Sequence, residues 1–314
     1  MSIRRKLKYL LLKVLVTKIP DNLLLFWMNF LKHLAFSAKQ KNCFLLCTTG
    51  KNNDYFENGL LVAVRSIKKT NPGIPIIIFH SDLNNAQKDK LKDCRLIEIS
   101  KKDWQSSHRP DLTDAAFYRL MLDQIKEFDK VIYIDSDMIV LDSLSEVFNF
   151  PGKLIAAGEV RNISNDFFEF ELVSSEENIY NPYFVGFNTG FLCFEVNYWH
   201  QDILKNAIKI GDKYGWENLK NPLNAILNLL AWKQEGFTPI PSHYNFNFTR
   251  ETSEIKENSQ GLLAPFKNNS FVKVLHFVGP IKPWSDKDKI EDYPRLHKQL
   301  DLYMPCYEQF LEKS

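Results

Sequence analysis

The order of apolar and polar positions changes character twice along the chain. In residues 3–18, Ile3, Leu7, Leu10, Leu11, Val14 and Leu15 recur near helical spacing with basic residues between them, and Pro20 and Asp21 break the run. Residues 22–36 repeat the pattern with Leu23, Leu24, Trp27, Phe30, Leu31 and Leu34. From residue 43 short apolar runs alternate with helical segments. The pattern predicts strands at 43–47, 75–79, 96–99 and 131–134, and helices at 57–69, 84–92 and 114–125. Repeated β-α units imply a largely parallel sheet with right-handed crossovers. Beyond residue 150 the rhythm loosens. Strands are expected at 187–194 and 272–276, helices at 202–213 and 223–232, and a last helix near 293–311. The polar stretch 251–260 reads as a loop. No internal repeat and no low-complexity segment interrupts this order.

Composition narrows the class. With 45% hydrophobic and 13% aromatic residues in 314, the chain can build a substantial core and is not a disordered segment. The net charge is +2, but residues 1–40 hold eight Lys/Arg against one acid, so the remainder sums to −5. A basic leader thus precedes a mildly acidic body. Basic amphipathic helices carrying Trp and Phe lie on anionic membrane surfaces, and the alternative is that they pack as an ordinary extension. Lys8, Lys13 and Lys18 interrupt any signal-peptide core, and no small-residue cleavage site follows. The apolar run at 23–28 falls far short of the roughly 20 residues a bilayer requires. Cys43, Cys47, Cys94, Cys193 and Cys306 are odd in number, with no zinc-type pair among them. They read as reduced, mostly buried thiols in a reducing compartment. Nucleic acid is not an expected partner.

Chemistry concentrates in two segments. Val131-Ile132-Tyr133-Ile134-Asp135-Ser136-Asp137 is an apolar run ending in two carboxylates at i and i+2. In an extended strand these side chains point the same way, toward one cation at the carboxyl end of a buried strand, where open α/β sheets bind ligands. A lone Asp-x-Asp is more often a cap or turn. Here the apolar run raises its weight, because buried carboxylates are costly unless paired or metal-bound. The second segment runs from His276 to Trp284, His-Phe-Val-Gly-Pro-Ile-Lys-Pro-Trp. His276 is the candidate third metal ligand beside Asp135 and Asp137. Gly279 allows close backbone approach, and Lys282 suits phosphate oxygens. Oxygen ligands suit Mg²⁺ or Mn²⁺, and one imidazole tilts the choice to Mn²⁺. Aromatic residues are dense around Tyr180–Tyr183 and Tyr244–Phe248, and Tyr244, Asn245 and Asn247 either line a binding cleft or pack as core and loop.

These segments, in order over roughly residues 43–285, resemble glycosyltransferase family 8, which includes glycogenin and bacterial lipooligosaccharide galactosyl- and glucosyltransferases. Cys47-Thr48-Thr49 followed by Asn53-Asp54-Tyr55 resembles the family's opening nucleotide-binding segment, in which a tyrosine stacks on uracil. Phe117-Tyr118-Arg119-Leu120 resembles the motif whose basic residue contacts the donor. Asp135-Ser136-Asp137 stands at the metal- and ribose-binding motif, and Phe187-Asn188-Thr189-Gly190 resembles the Asn-Ala-Gly motif that contacts the donor sugar. His276 to Trp284 matches His-x-x-Gly-x-x-Lys-Pro-Trp. One departure stands out: the family's Asp-Gln pair is Leu223-Asn224 here. Asn224 is an amide one methylene shorter than the glutamine, and Leu223 cannot accept a hydrogen bond.

The resemblance implies a GT-A, Rossmann-like, mixed but mainly parallel α/β sheet flanked by helices, with helical extensions at both ends. It divides the chain into a leader (1–40), a catalytic domain (41–285) and a C-terminal extension (286–314). It implies Mn²⁺-dependent, retaining transfer of a hexose from UDP-galactose or UDP-glucose to a glycan or lipid-linked acceptor, in cell-surface polysaccharide or lipopolysaccharide synthesis at the inner face of the cytoplasmic membrane. Asn188, Asn224 and Lys282 are the expected catalytic residues. Thr48, Thr49, Tyr55, Arg119, Ser136, Thr189, Gly190 and Gly279 complete the expected donor site. Two other readings remain. A non-catalytic nucleotide-sugar binder on the same fold draws on Leu223. A haloacid dehalogenase-like phosphatase shares Asp-x-Asp, but has no use for the 276–284 segment.

Overall fold

The computed structural model describes residues 41–100, 114–176, 185–199, 203–234, 236–249 and 253–312. The expectations for residues 1–40, Tyr180 and Tyr183 lie outside these.

β1 (Asn42–Thr49) is buried throughout its interior. A single π-helical turn (Tyr55–Leu60) leads directly into α1 (Leu61–Thr70). Then follow β2 (Ile76–Ser81), α2 (Asn85–Lys90), β3 (Arg95–Glu98), α3 (Ala115–Tyr118) and β4 (Lys130–Ile134). Asn84 starts α2 with a capping box: its side chain accepts from the Gln87 backbone N–H while the Gln87 side chain accepts from that of Asn84. The chain continues through β5 (Met138–Val140), β6 (Leu154–Asn162), α4 (Phe170–Glu176), β7 (Val185–Glu195), α5 (Val196–Trp199), α6 (Ile203–Tyr214), α7 (Pro222–Lys233) and β8 (Thr238–Ile240).

The central sheet has the order β3-β2-β1-β4-β7-β6-β8. β1 runs parallel to β2 and β4, and β2 to β3, while β7 is antiparallel to both β4 and β6. Helices cover both faces, which is why β1 and β2 read as continuous apolar runs and not as alternation. Cys43, Leu45 and Cys47 point into one core with residues of α3, α6 and α7; Phe44 and Leu46 point into the other with α1.

A second layer ends the chain. β9 (Phe246–Asn247) precedes a hairpin of β10 (Glu254–Glu257) and β11 (Leu263–Lys267), joined by β12 (Ser270–Phe271). β13 (Val274–His276) lies between β5, antiparallel, and β9, parallel, with His276 opposite Met138 and Asn247. α8 (Lys287–Glu291) and α9 (Pro294–Glu308) close the fold. Leu300, Tyr303, Cys306 and Tyr307 of α9 share a core with Phe246, Phe248 and Phe277.

Two elements differ from the sequence-based expectation. Residues 114–125 are not one helix: α3 spans four residues, Met121 leaves the helical region at φ −93° and ψ 45°, and a 3₁₀ turn follows at Leu122–Ile125. So short a helix gains little from propagation, and the tertiary bonds of Arg119 hold the turn instead. The stretch 251–260 contains β10, whose largely exposed residues supply no apolar alternation; cross-strand pairing with β11 makes it a strand. The five cysteines are free thiols, four of them buried. Among the described residues no helix is long and apolar enough to cross a membrane.

Candidate active site

β4 ends at Ile134, and Asp135 to Asp137 form a turn closed by Met138 N–H donating to Asp135 O (3.2 Å) before β5 begins. Strand alternation therefore does not aim the two carboxylates; a turn does. Each has its own anchor. The Asp135 N–H donates to Gly190 O on β7 (2.9 Å), and its Oδ1 accepts from Arg119 Nη2 (2.7 Å) and from the Tyr133 hydroxyl. Arg119 is 5% exposed and also donates to Ala116 O and Thr189 O. Its guanidinium lies 4.0 Å from the Tyr133 ring centre. Asp137 accepts from the Lys282 ammonium at Oδ2 (2.5 Å), and its Oδ1 lies 3.3 Å from His276 Nε2. Burial opposes ionisation of Asp137. The Lys282 ammonium outweighs that and holds its carboxyl well below the usual carboxylate range. Burial likewise disfavours the Lys282 cation, and Asp137 reverses the effect, raising its pKa.

His276 reaches this place because Phe277 N–H donates to Asp137 O (2.9 Å) and β13 pairs with β5. Gly190 lies under both groups: a Cβ there would meet His276 Cε1 at 2.6 Å and Asp135 Oδ2 at 2.9 Å. Asp135, Asp137 and His276 each offer one ligand atom, all within 4.8 Å of one another. Arg119 and Tyr133 occupy Asp135 Oδ1 and Lys282 occupies Asp137 Oδ2, so Asp135 Oδ2, Asp137 Oδ1 and His276 Nε2 are left to converge. Two hard oxygens and an imidazole fit Mn²⁺ or Mg²⁺.

Beside this cluster opens a cleft of about 260 Å³, lined by Cys47, Thr48, Thr49, Asn52, Tyr55, Ala115, Ala116, Arg119, Tyr133 and Asp135–Asp137. The Tyr55 ring meets Trp284 edge-on at 5.3 Å. Gly59 in the π turn allows this approach, since a Cβ would lie 3.0 Å from Ser136 O and 3.2 Å from the Trp284 ring. Gly279, at φ +110°, turns the loop between His276 and Lys282.

On the other side of the cluster, β7 and α7 place Asn188, Thr189 and Asn224. Asn224 Oδ1 accepts from both the N–H (3.2 Å) and the hydroxyl (2.8 Å) of Thr189. Asn188 Oδ1 accepts from Gly190 N–H (2.9 Å) and Asn245 Nδ2 (3.1 Å). Leu223 packs into the main core.

The fold thus gathers Asp135, Ser136, Asp137, Arg119, Thr48, Thr49 and Tyr55 at one cleft, with Thr189, Gly190, His276 and Lys282 bonded or packed against them. Tyr244 takes the core alternative: it is fully buried and its hydroxyl donates to Glu146. Asn247 is also buried, with Oδ1 turned to Thr249, while Asn245 joins the site itself. The sequence reading missed Tyr133 as a site residue, although its i−2 spacing from Asp135 was a usable signal. Nothing in the local sequence marked Asn52, Ala115 or Ala116 as cleft lining.

Comparison with known proteins agrees with this geometry. Residues 47–288 match the model of Glycosyl transferase family 8. The glycosyl transferase Gly of Streptococcus gordonii is 24% identical over 73% of this chain and 31% of its own length. The lipopolysaccharide glucosyltransferase WaaO of Escherichia coli is 25% identical over 55% of this chain and 50% of its own. The chain thus spans a third to a half of these relatives. Among solved structures, the galactosyltransferase LgtC bound to donor and acceptor sugar analogues superposes with a TM-score of 0.59 at 19% identity, over 83% of this chain and 95% of that one. Streptococcus pneumoniae GlyE gives 0.52 at 17% identity over 87% and 65%. These likenesses give the GT-A fold. With three-quarters of its length matched by the family model and the expected residues gathered at one cleft, the chain is a member of glycosyltransferase family 8.

Proposed function

We propose that this glycosyltransferase moves a hexose from UDP-galactose or UDP-glucose to a glycan or lipid-linked oligosaccharide, with retention of configuration and with Mn²⁺. The observation that carries the reading is the meeting of Asp135, Asp137, His276 and Lys282 beside a cleft that ends at Tyr55. Tyr55 and Trp284 offer an aromatic wall for the base, and Thr48 and Thr49 offer polar groups beside it. A divalent ion held by Asp135, Asp137 and His276 would supply charge neutralisation for a leaving diphosphate, an effect of several kcal/mol. Lys282 places a second cation next to the same oxygens. Arg119 and Tyr133 keep Asp135 oriented.

Transfer breaks the anomeric C–O bond, and UDP departs with the electron pair. The acceptor oxygen forms the new bond and its proton passes to the departing phosphate. Retention by double displacement would need a carboxylate where Asn224 stands. Asn224 is an amide whose oxygen is taken by Thr189, so attack from the face that the UDP leaves is the reading we favour. A glycosyl-enzyme trapped on Asp or Glu would contradict it.

The deciding experiment is a screen of UDP-sugars for slow hydrolysis with Mn²⁺. Turnover of one UDP-hexose, abolished by EDTA and restored by Mn²⁺, is expected. Binding without turnover would favour a non-catalytic nucleotide-sugar binder. The glucosyltransferase and galactosyltransferase relatives support a hexose and a cell-surface glycan. The basic leader supports a peripheral site on an anionic membrane at the cytoplasmic face. Deleting residues 1–40 should then release the protein from anionic liposomes and spare hydrolysis; unchanged liposome binding would count against that location.

A further inference from the structure

The ring of His276 is held by a chain of side chains whose polarity can be read from the backbone. The Gly190 N–H has no choice of role, and it donates to Asn188 Oδ1 at 2.9 Å. That orients the Asn188 amide. Asn245 approaches the same oxygen at 3.1 Å, so it must present its NH₂ there. Its carbonyl oxygen then faces His276 Nδ1 at 2.9 Å and can only accept. His276 Nδ1 must therefore carry a hydrogen. Asn245 is 9% exposed, in a stretch pinned on both sides: Tyr244 is fully buried and bonded to Glu146, and Phe246 pairs with Leu275.

We infer that Asn245 is a positioning residue, which through this relay fixes the tautomer of His276 so that Nε2 offers its lone pair to a divalent cation. The inference rests on the metal site proposed above. Its physical content is a mismatch: in the neutral ring with its hydrogen on Nδ1, Nε2 and Asp137 Oδ1 are two acceptors 3.3 Å apart. A cation between them resolves that contact. Partners that orient a ligating histidine through its other nitrogen typically account for 10–100-fold in metal affinity. The relay begins at Gly190, whose lack of a Cβ also lets the ring approach, so one glycine supplies both the space and the first donor.

The test uses ¹⁵N-histidine spectra of the metal-free full chain, with the His276 signals assigned by loss in His276→Gln, together with Mn²⁺ titration. In the wild type, His276 Nδ1 should carry hydrogen. Asn245→Leu should abolish that preference and weaken Mn²⁺ binding about 10–100-fold. Asn245→Asp, which keeps an acceptor for Nδ1–H, should bind Mn²⁺ within a few-fold of wild type. A wild-type ring with hydrogen on Nε2 and a bare Nδ1 would overturn the inference without any variant having to fold. Equal Mn²⁺ affinity in folded Asn245→Leu would overturn it too. A wild type that binds no Mn²⁺ would sink the metal reading, while the tautomer would still decide the relay.

Discussion

Gly190 is where the site tolerates least. A methyl group there would sit at 2.6 Å from His276 Cε1 and 2.9 Å from Asp135 Oδ2, so both ligands must shift by several tenths of an ångström. Misplacement on the order of 1 Å can cost about 10²-fold in rate. Gly190→Ala should therefore lower metal-dependent hydrolysis by about that factor with little change in circular dichroism, since β7 keeps its pairing. Asp137 and Lys282 carry a second expectation. Their side chains are 13% and 10% exposed, so each change leaves a buried partner short of its charge. Asp137→Asn should remove metal-dependent turnover, and Lys282→Ala should lower kcat by about 10²–10³. Either single change should also cost about 3–5 kcal/mol of stability, read by denaturant titration. The pair Asp137→Asn with Lys282→Met should recover part of that loss, and its failure to do so would mean the ion pair is not what stabilises the site.

Among elements, α9 has a larger part than a terminal extension suggests. Its Tyr307 hydroxyl donates to Asn58 O within the π turn (2.8 Å), and its ring lies 6.0 Å from Trp284, which in turn meets Tyr55. Residues 249 positions apart are thus tied together beside Tyr55 at the edge of the cleft. Tyr307→Phe should cost about 1 kcal/mol and raise the donor KM more than it lowers kcat, because the support acts on the wall of the cleft and not on the ion. Equal falls in kcat and kcat/KM would place the effect at the reacting atoms and refute this view.

Across the whole molecule, stability should depend on pH through a residue away from the chemistry. His243 is 5% exposed and stacks on Tyr244 at 4.6 Å, and neither ring nitrogen has a hydrogen-bond partner. Burial, with the Lys273 ammonium nearby, lowers its pKa from 6.5 to about 3. Above pH 6.5 both folded and unfolded chains leave it neutral. Between 6.5 and about 3 only the unfolded chain takes the proton, so stability falls as pH falls, by up to about 1.4 kcal/mol per unit from this group. His243→Phe should flatten the urea-midpoint curve in that window. An unchanged slope would show that the ring is not buried neutral.

The sequence by itself determined the chemistry-bearing residues and the alternating framework. Buried parallel strands must be apolar on both faces, and that left 43–47 and 131–134 legible as strands. The motifs around Asp135 and His276 name their residue types directly. Tertiary structure alone decided how those types meet. The aim of Asp135 and Asp137 comes from a turn, not from strand alternation. The place of His276 comes from β13 pairing with β5 across some 135 residues. Helix 114–125 broke because Arg119 found partners on β4 and β7 that no local window contains. Asn245 was visible only as one of several polar residues among aromatics; its role depends on which way an amide points, and that direction is set by a backbone N–H more than fifty positions upstream. Local pattern records what each residue prefers, whereas long-range hydrogen bonds and close packing settle which preferences are met.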